Sequence, residues 1–224
     1  MSEDDKYTFD DMPTVPQIFH QLGILVLDGS GSMSGIIDGK ITKAEAVNIS
    51  VRELLTRFIA SKNSKDFSIS IVTFDSRVII HTTPTRIKDE NDQTIDDNAD
   101  YDPMKGHGGS TDLAQALQEA FTVAKDFLTN APPDSVPHSA VIVVMSDGMS
   151  HTDPVPIAEN IKQEQNITIC STLFAQKGNV DQRAQKILQD IASSPSNYKT
   201  VYDAETLRKF FVASVSSGKN VNII

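Results

Sequence analysis

Two rhythms of apolar and polar positions alternate along this chain. Leu22 to Leu27 is a short, nearly continuous apolar run, the pattern of a central strand covered on both faces, and it stops at Asp28. The spacing then turns helical. Ala44, Val47, Val51, Leu54, Leu55, Phe58 and Ile59 share one face, and Thr42 with Glu45 stands in capping-box spacing ahead of them, so a helix is predicted to about Lys62.

Phe67 to Phe74 alternates and is β-branched, and only Asp75 and Ser76 separate it from the β-rich run Arg77 to His81. So short a connection forces an antiparallel hairpin. Leu113, Ala116, Leu117, Ala120, Phe121, Ala124 and Phe127 return to helical spacing, and Ala140 to Gly148, AVIVVMSDG, repeats the theme of an apolar strand ending at an aspartate. A helix around Pro154 to Glu164, a strand Ile167 to Phe174, a helix around Asp181 to Ala192, a short strand near Thr200 to Tyr202 and a helix from about Ala204 to Val215 follow. This β/α order predicts a three-layer α/β fold: an open sheet, mostly parallel, with one antiparallel edge strand and helices on both faces.

The pattern also sets boundaries. Residues 1–19 are polar and acidic, carry Pro13 and Pro16 and show no sustained period, which reads as a loosely ordered lead-in. The domain is expected over 20–216, with a tail over 217–224. Lys88 to Asp102 holds seven acidic residues and few apolar ones. Its Asp89, Asn91, Gln93, Thr94 order lacks the glycine and terminal glutamate of an EF-hand, so a solvated surface loop is expected there.

Composition narrows the function. A chain of 224 residues that is 39% hydrophobic can bury one continuous core. Acidic residues outnumber basic ones by 30 to 20, a formal net charge of −10, which argues against nucleic acid and favours cations or basic surfaces as partners. The single cysteine, Cys170, lies in an apolar run and is expected in the core of a protein from a reducing compartment. With no basic segment leading an apolar one at the N-terminus and no run of membrane-span length, a cytoplasmic protein with no membrane partner is expected.

Three loops carry the candidate chemistry. Ligand sites in open α/β sheets lie at the carboxyl ends of the strands, where strand order reverses. Asp28, Ser30 and Ser32 follow the first strand, GHGGSTD (Gly106 to Asp112) enters a helix, and Asp147 ends a later strand. The donors are hard oxygens. They suit Mg²⁺ or Mn²⁺, with Ca²⁺ also accommodated, and not structural zinc. Asp112 with Gln115 forms a capping pair that leaves the Thr111 hydroxyl free to face a metal. Two carboxylates neutralise a divalent ion poorly if either acts through water, so the site is expected to attract a carboxylate from outside.

These residues resemble a known family. D-G-S-G-S (Asp28 to Ser32) after the first strand, G-G-S-T (Gly108 to Thr111) before a helix and S-D-G (Ser146 to Gly148) after a fourth strand are similar to the von Willebrand factor A domain with its metal-ion-dependent adhesion site, over roughly His20 to Val215. The resemblance implies a Rossmann-like domain whose metal bridges to an Asp or Glu of a partner protein. It implies that Ser30 and Ser32 bind the metal directly, Thr111 directly or through water, and Asp28 and Asp147 mainly through water or by orienting the hydroxyls. The threonine frequent after the first aspartate is Gly29 here. Short members of this kind resemble bacterial stand-alone proteins of tellurite resistance and stress responses, which implies a scaffold beside a kinase or phosphatase.

Met33, Ile36, Met149 and Ser150 are candidates for the rim of a partner interface, and His107 and His151 lie beside it in sequence. A dinucleotide site is disfavoured, since the glycine spacing is not G-x-G-x-x-G and Asp28 would face the pyrophosphate. The alternative to an interaction module is a metal-assisted phosphatase or hydrolase using Asp28 as nucleophile or base. With no evident general acid, and Lys105 the lysine within the three loops, a non-enzymatic role is expected.

Overall fold

β1 (His20–Asp28) is buried along its whole length because a parallel strand flanks it on either side. The neighbours are β2 (Phe67–Phe74) and β4 (His138–Ser146); β3 (Val78–Arg86), β5 (Ile167–Phe174) and β6 (Tyr198–Val201) complete a sheet ordered β6-β5-β4-β1-β2-β3. The computed structural model describes residues 19–37, 39–89, 92–132 and 136–217. The proposed lead-in, apart from Phe19, and the tail beyond Ser217 lie outside the described residues. Every strand pairing in this sheet is parallel except β2 with β3, the expected hairpin.

Alternation along β1 sends Leu25 and Leu27 to one face and Ile24 and Val26 to the other. The first face is covered by α1 (Lys43–Ile59) and α5 (Ala204–Ser216), the second by α2 (Leu113–Thr129), α3 (Val155–Lys162) and α4 (Gln182–Ile191). Helices α1, α2, α4 and α5 begin where the side-chain oxygen of the N-cap residue meets free backbone N–H groups: Thr42 accepts from Glu45 N, Asp112 from Gln115 N, Asp181 from Ala184 N and Asp203 from Thr206 N. Cys170 is buried in the core. No helix among the described residues is long and apolar enough to cross a membrane.

Two expectations change. β3 continues past His81 to Arg86, with register shifts opposite Ile69 to Val72 that accommodate Pro84 on an edge strand. The acidic stretch Lys88 to Asp102 is not simply a solvated loop. It inserts Ile95 and Tyr101 into the core, and Asn48 on α1 bonds both Asp100 Oδ1 and Tyr101 N, while Thr56 donates to Asp97 Oδ2 at 2.8 Å. Two apolar anchors and a helix face offering complementary polar groups outweigh the repulsion of the acidic residues.

The topology fixes the site. From β1 the chain crosses over α1 to β2 on one side, then over α2 to β4 on the other, so strand order reverses at the carboxyl end of β1. Asp28 closes β1 opposite Phe74, and Asp147 follows the last residue of β4.

Candidate metal centre

Asp28 is fully buried at the end of β1, and both its oxygens are engaged. Oδ1 accepts from Ser30 N at 2.8 Å and Oδ2 from the Ser146 hydroxyl at 2.5 Å. Burial pushes its pKa up, opposed by the bonds from Ser146 and Ser30, and the nearby Asp147 charge adds to the rise. Beyond it, Gly31–Ser34 makes one turn of 3₁₀ helix that turns Met33 into the core and leaves the hydroxyls of Ser30 and Ser32 3.1 Å apart. Ser32 Oγ then donates to Asp147 Oδ1 at 2.6 Å. A chain of oxygens thus runs from Ser30 through Ser32 to Asp147.

Backbone bonds draw the second loop in. Gly31 N donates to Gly109 O at 3.1 Å, and Asp75, at the β2–β3 turn, accepts from Gly109 N at 2.9 Å through Oδ2 and from Arg77 N at 2.8 Å through Oδ1. His107 Nδ1 lies 2.9 Å from Asp75 Oδ1 but off the line a good hydrogen bond needs, and its Nε2 bonds Thr73 Oγ1 at 3.0 Å. Burial pushes the Asp75 carboxyl up; the His107 contact and the Gly109 and Arg77 N–H bonds outweigh it and hold the pKa at about 2. The third loop closes the ring: His151 N donates to Thr111 O at 2.9 Å and Ser150 Oγ accepts from Leu113 N at 3.1 Å. Thr111 is buried, and among the described residues its hydroxyl makes no hydrogen bond.

The donor chemistry fits a hard divalent cation. Three hydroxyls, those of Ser30, Ser32 and Thr111, stand on loops tied to one another and to the carboxylates of Asp28 and Asp147, and all are oxygens. No group of three His, Cys, Asp or Glu that could hold a metal is present among the described residues.

Other candidates are distributed differently. Ile36, 50% exposed, Met149, 37% exposed, and His151 stand at the surface. Met33 and His107 do not: Met33 is core, and the His107 ring is sealed against Asp75 and Thr73, where it braces the loop instead of facing a partner. Ser150 spends its hydroxyl on the start of α2. Lys105 pairs outward with Asp100. The lysine that reaches the site is Lys43, whose Nζ lies 2.5 Å from Asp147 Oδ2. Sequence reading passed over it because it belongs to α1, not to a loop; its place directly after the capping Thr42 was the available signal.

Gly29 also has a structural reason. A Cβ there would stand 2.0 Å from the Pro103 carbonyl oxygen, so the threonine frequent at this position has no room under the Pro103 to His107 segment.

The comparisons agree with this architecture. The von Willebrand factor A domain of the type V pili tip protein Mfa5 from Porphyromonas gingivalis superposes with a TM-score of 0.66 at 10% identity, over 92% of this chain and 99% of that one. The pilus adhesin SpaC from Lactobacillus rhamnosus GG gives 0.68 at 13% identity, over 89% of this chain and 30% of that chain. Proximal thread matrix protein 1 from the mussel byssus, in a form with a zinc-occupied MIDAS motif, gives 0.57 at 16% identity over 90% of this chain and 46% of its own. This chain therefore spans under a third of SpaC and under half of the byssus protein. The comparison with curated proteins gives no match. The sequence profile of the von Willebrand factor type A domain matches residues 24–213, and the chain belongs to that family.

Proposed function

We propose that this domain is a divalent-cation-dependent interaction module that captures a partner protein through an Asp or Glu side chain. The observation that carries the reading is the oxygen chain Ser30–Ser32–Asp147, exposed at Ser32 and backed by the buried Asp28. A bound Mg²⁺ or Mn²⁺ would supply an open coordination position for the partner's carboxylate. Ser30 and Ser32 are the proposed direct ligands, with Thr111 binding directly or through water, and Asp28 and Asp147 orient hydroxyls: Asp147 already accepts a hydrogen bond from Ser32, and Asp28 fixes the backbone of Ser30.

Ile36 and Met149 are exposed apolar side chains close in the chain to the serine loop and to Asp147, and they are the proposed apolar rim of the site. That suits a docked protein surface better than a small substrate. The proposal extends to a cytoplasmic scaffold in a bacterial stress or tellurite-resistance system, beside a kinase or phosphatase. Its support is the family resemblance together with the lone buried thiol of Cys170, which fits a reducing compartment.

The test is partner capture by the immobilised protein with Mg²⁺ or with EDTA, using wild type and the double variant Ser30→Ala, Ser32→Ala. Capture that needs both metal and serines supports the reading; equal capture by the double variant in EDTA overturns it. Metal-dependent hydrolysis of p-nitrophenyl phosphate, abolished in Asp28→Ala, would replace it with the hydrolase reading.

A further inference from the structure

Lys43 occupies an improbable place. It is the first residue of α1, where the partial positive charge of the helix terminus disfavours a cation, and its side chain is only 12% exposed. A lysine so placed needs a strong local partner. It has one in Asp147, whose carboxylate is fully buried and bonds Lys43 Nζ at 2.5 Å with Oδ2 while Oδ1 receives Ser32 at 2.6 Å. Lys43 N also donates to Gly35 O at 2.9 Å, so the first turn of α1 is fastened to the end of the serine loop. Among the described residues no such cation stands on Asp28, whose bonds come from the neutral groups Ser30 N and Ser146 Oγ.

We propose that Lys43 is a resident counter-ion of the adhesion site, a positioning residue that holds Asp147 toward Ser32 and leaves the metal-loaded site with surplus positive charge. This rests on the proposed metal-dependent function and names what regulates it. With Lys43 neutralising Asp147, only the Asp28 charge offsets a divalent ion, and the remainder falls to the partner's carboxylate. The lysine therefore weakens the metal in the free domain, and the same surplus positive charge draws in the partner's carboxylate, so the cation is held better with a partner bound than without one. Charge repulsion at low effective dielectric gives the effect its size.

The test titrates the intact chain with Mn²⁺ alone, free ion being read by electron paramagnetic resonance, for wild type, Lys43→Met and Lys43→Arg. Lys43→Met should bind Mn²⁺ on the order of tenfold more tightly than wild type, and Lys43→Arg should match wild type. A merely structural role would do the opposite, since an unfastened Asp147 would bind metal less well. Unchanged or weaker Mn²⁺ binding by Lys43→Met overturns the proposal, provided wild type binds. If Lys43→Met does not fold, a Lys43→Gln variant with a wild-type melting temperature in EDTA serves in its place under the same criterion. Absence of Mn²⁺ binding by wild type overturns the metal-dependent function itself, and this inference with it.

Discussion

The Ser146 hydroxyl donates to Oδ2 of Asp28 at 2.5 Å, joining residues 118 positions apart across the β1–β4 pairing. It serves a carboxylate sealed from solvent. Ser146→Ala removes that donor without creating a large void, and the exposed need of a buried charge predicts a loss of about 1–3 kcal/mol. A melt in EDTA should fall by several degrees, roughly 2–4 °C for each kcal/mol lost.

Metal should stabilise the domain. At a hundredfold excess over the dissociation constant, linkage predicts about 2.7 kcal/mol, or roughly 5–10 °C for a chain of this size. Wild type in Mg²⁺ or Mn²⁺ against EDTA measures it, and Ser30→Ala with Ser32→Ala should melt somewhat below wild type in EDTA, since Asp147 loses the Ser32 donor, and show no shift on adding metal.

Gly29→Thr would restore the residue frequent in the family, and it should destabilise. The added Cβ meets the Pro103 backbone at 2.0 Å, so the Pro103 to His107 segment must move, at about 1–3 kcal/mol. A melting temperature at or above wild type would show that this segment yields freely.

Acid should loosen the second loop through Asp75. Its pKa is held down from 3.8 to about 2, so the stabilisation is present above the unfolded value near 3.8 and is lost as pH falls through about 2. The sign favours the folded state at neutral pH by at most about 2 kcal/mol, less what solvent screening at the turn removes. Asp75→Asn should lower stability at pH 7 and flatten its decline between pH 4 and 2, measured by urea unfolding.

The rim can be tested apart from the metal. Ile36→Ser with Met149→Gln changes only exposed side chains, so stability should stay within about 0.5 kcal/mol, while partner capture in Mg²⁺ weakens. Intact capture would place the protein contact elsewhere around the mouth.

The layers and the element order of this domain were legible in local patterns alone. Continuous apolar runs such as Leu22 to Leu27 can only be covered on both sides, the two residues between Phe74 and Arg77 can only turn back, and Thr42, Asp112 and Asp181 cap helices by local bonds. Those are short-range facts. The oxygen-bearing residues after β1 and β4 were legible for the same reason, since each ends a strand whose neighbours the pattern had already fixed.

The other features arise between segments far apart in the chain and were set by the closed fold. Whether a side chain in a loop faces out or in depends on what the fold brings over it: Met33 and His107 turned inward because the core and the Asp75–Thr73 pair were there to receive them. The acidic stretch after Ile87 docked because Asn48 and Thr56, a helix away, offered matching polar groups. Lys43 reached Asp147 across 104 residues. Periodicity carries no information about such pairs, because charge and hydrogen bonding act through space, and the distances are set only once the sheet has closed.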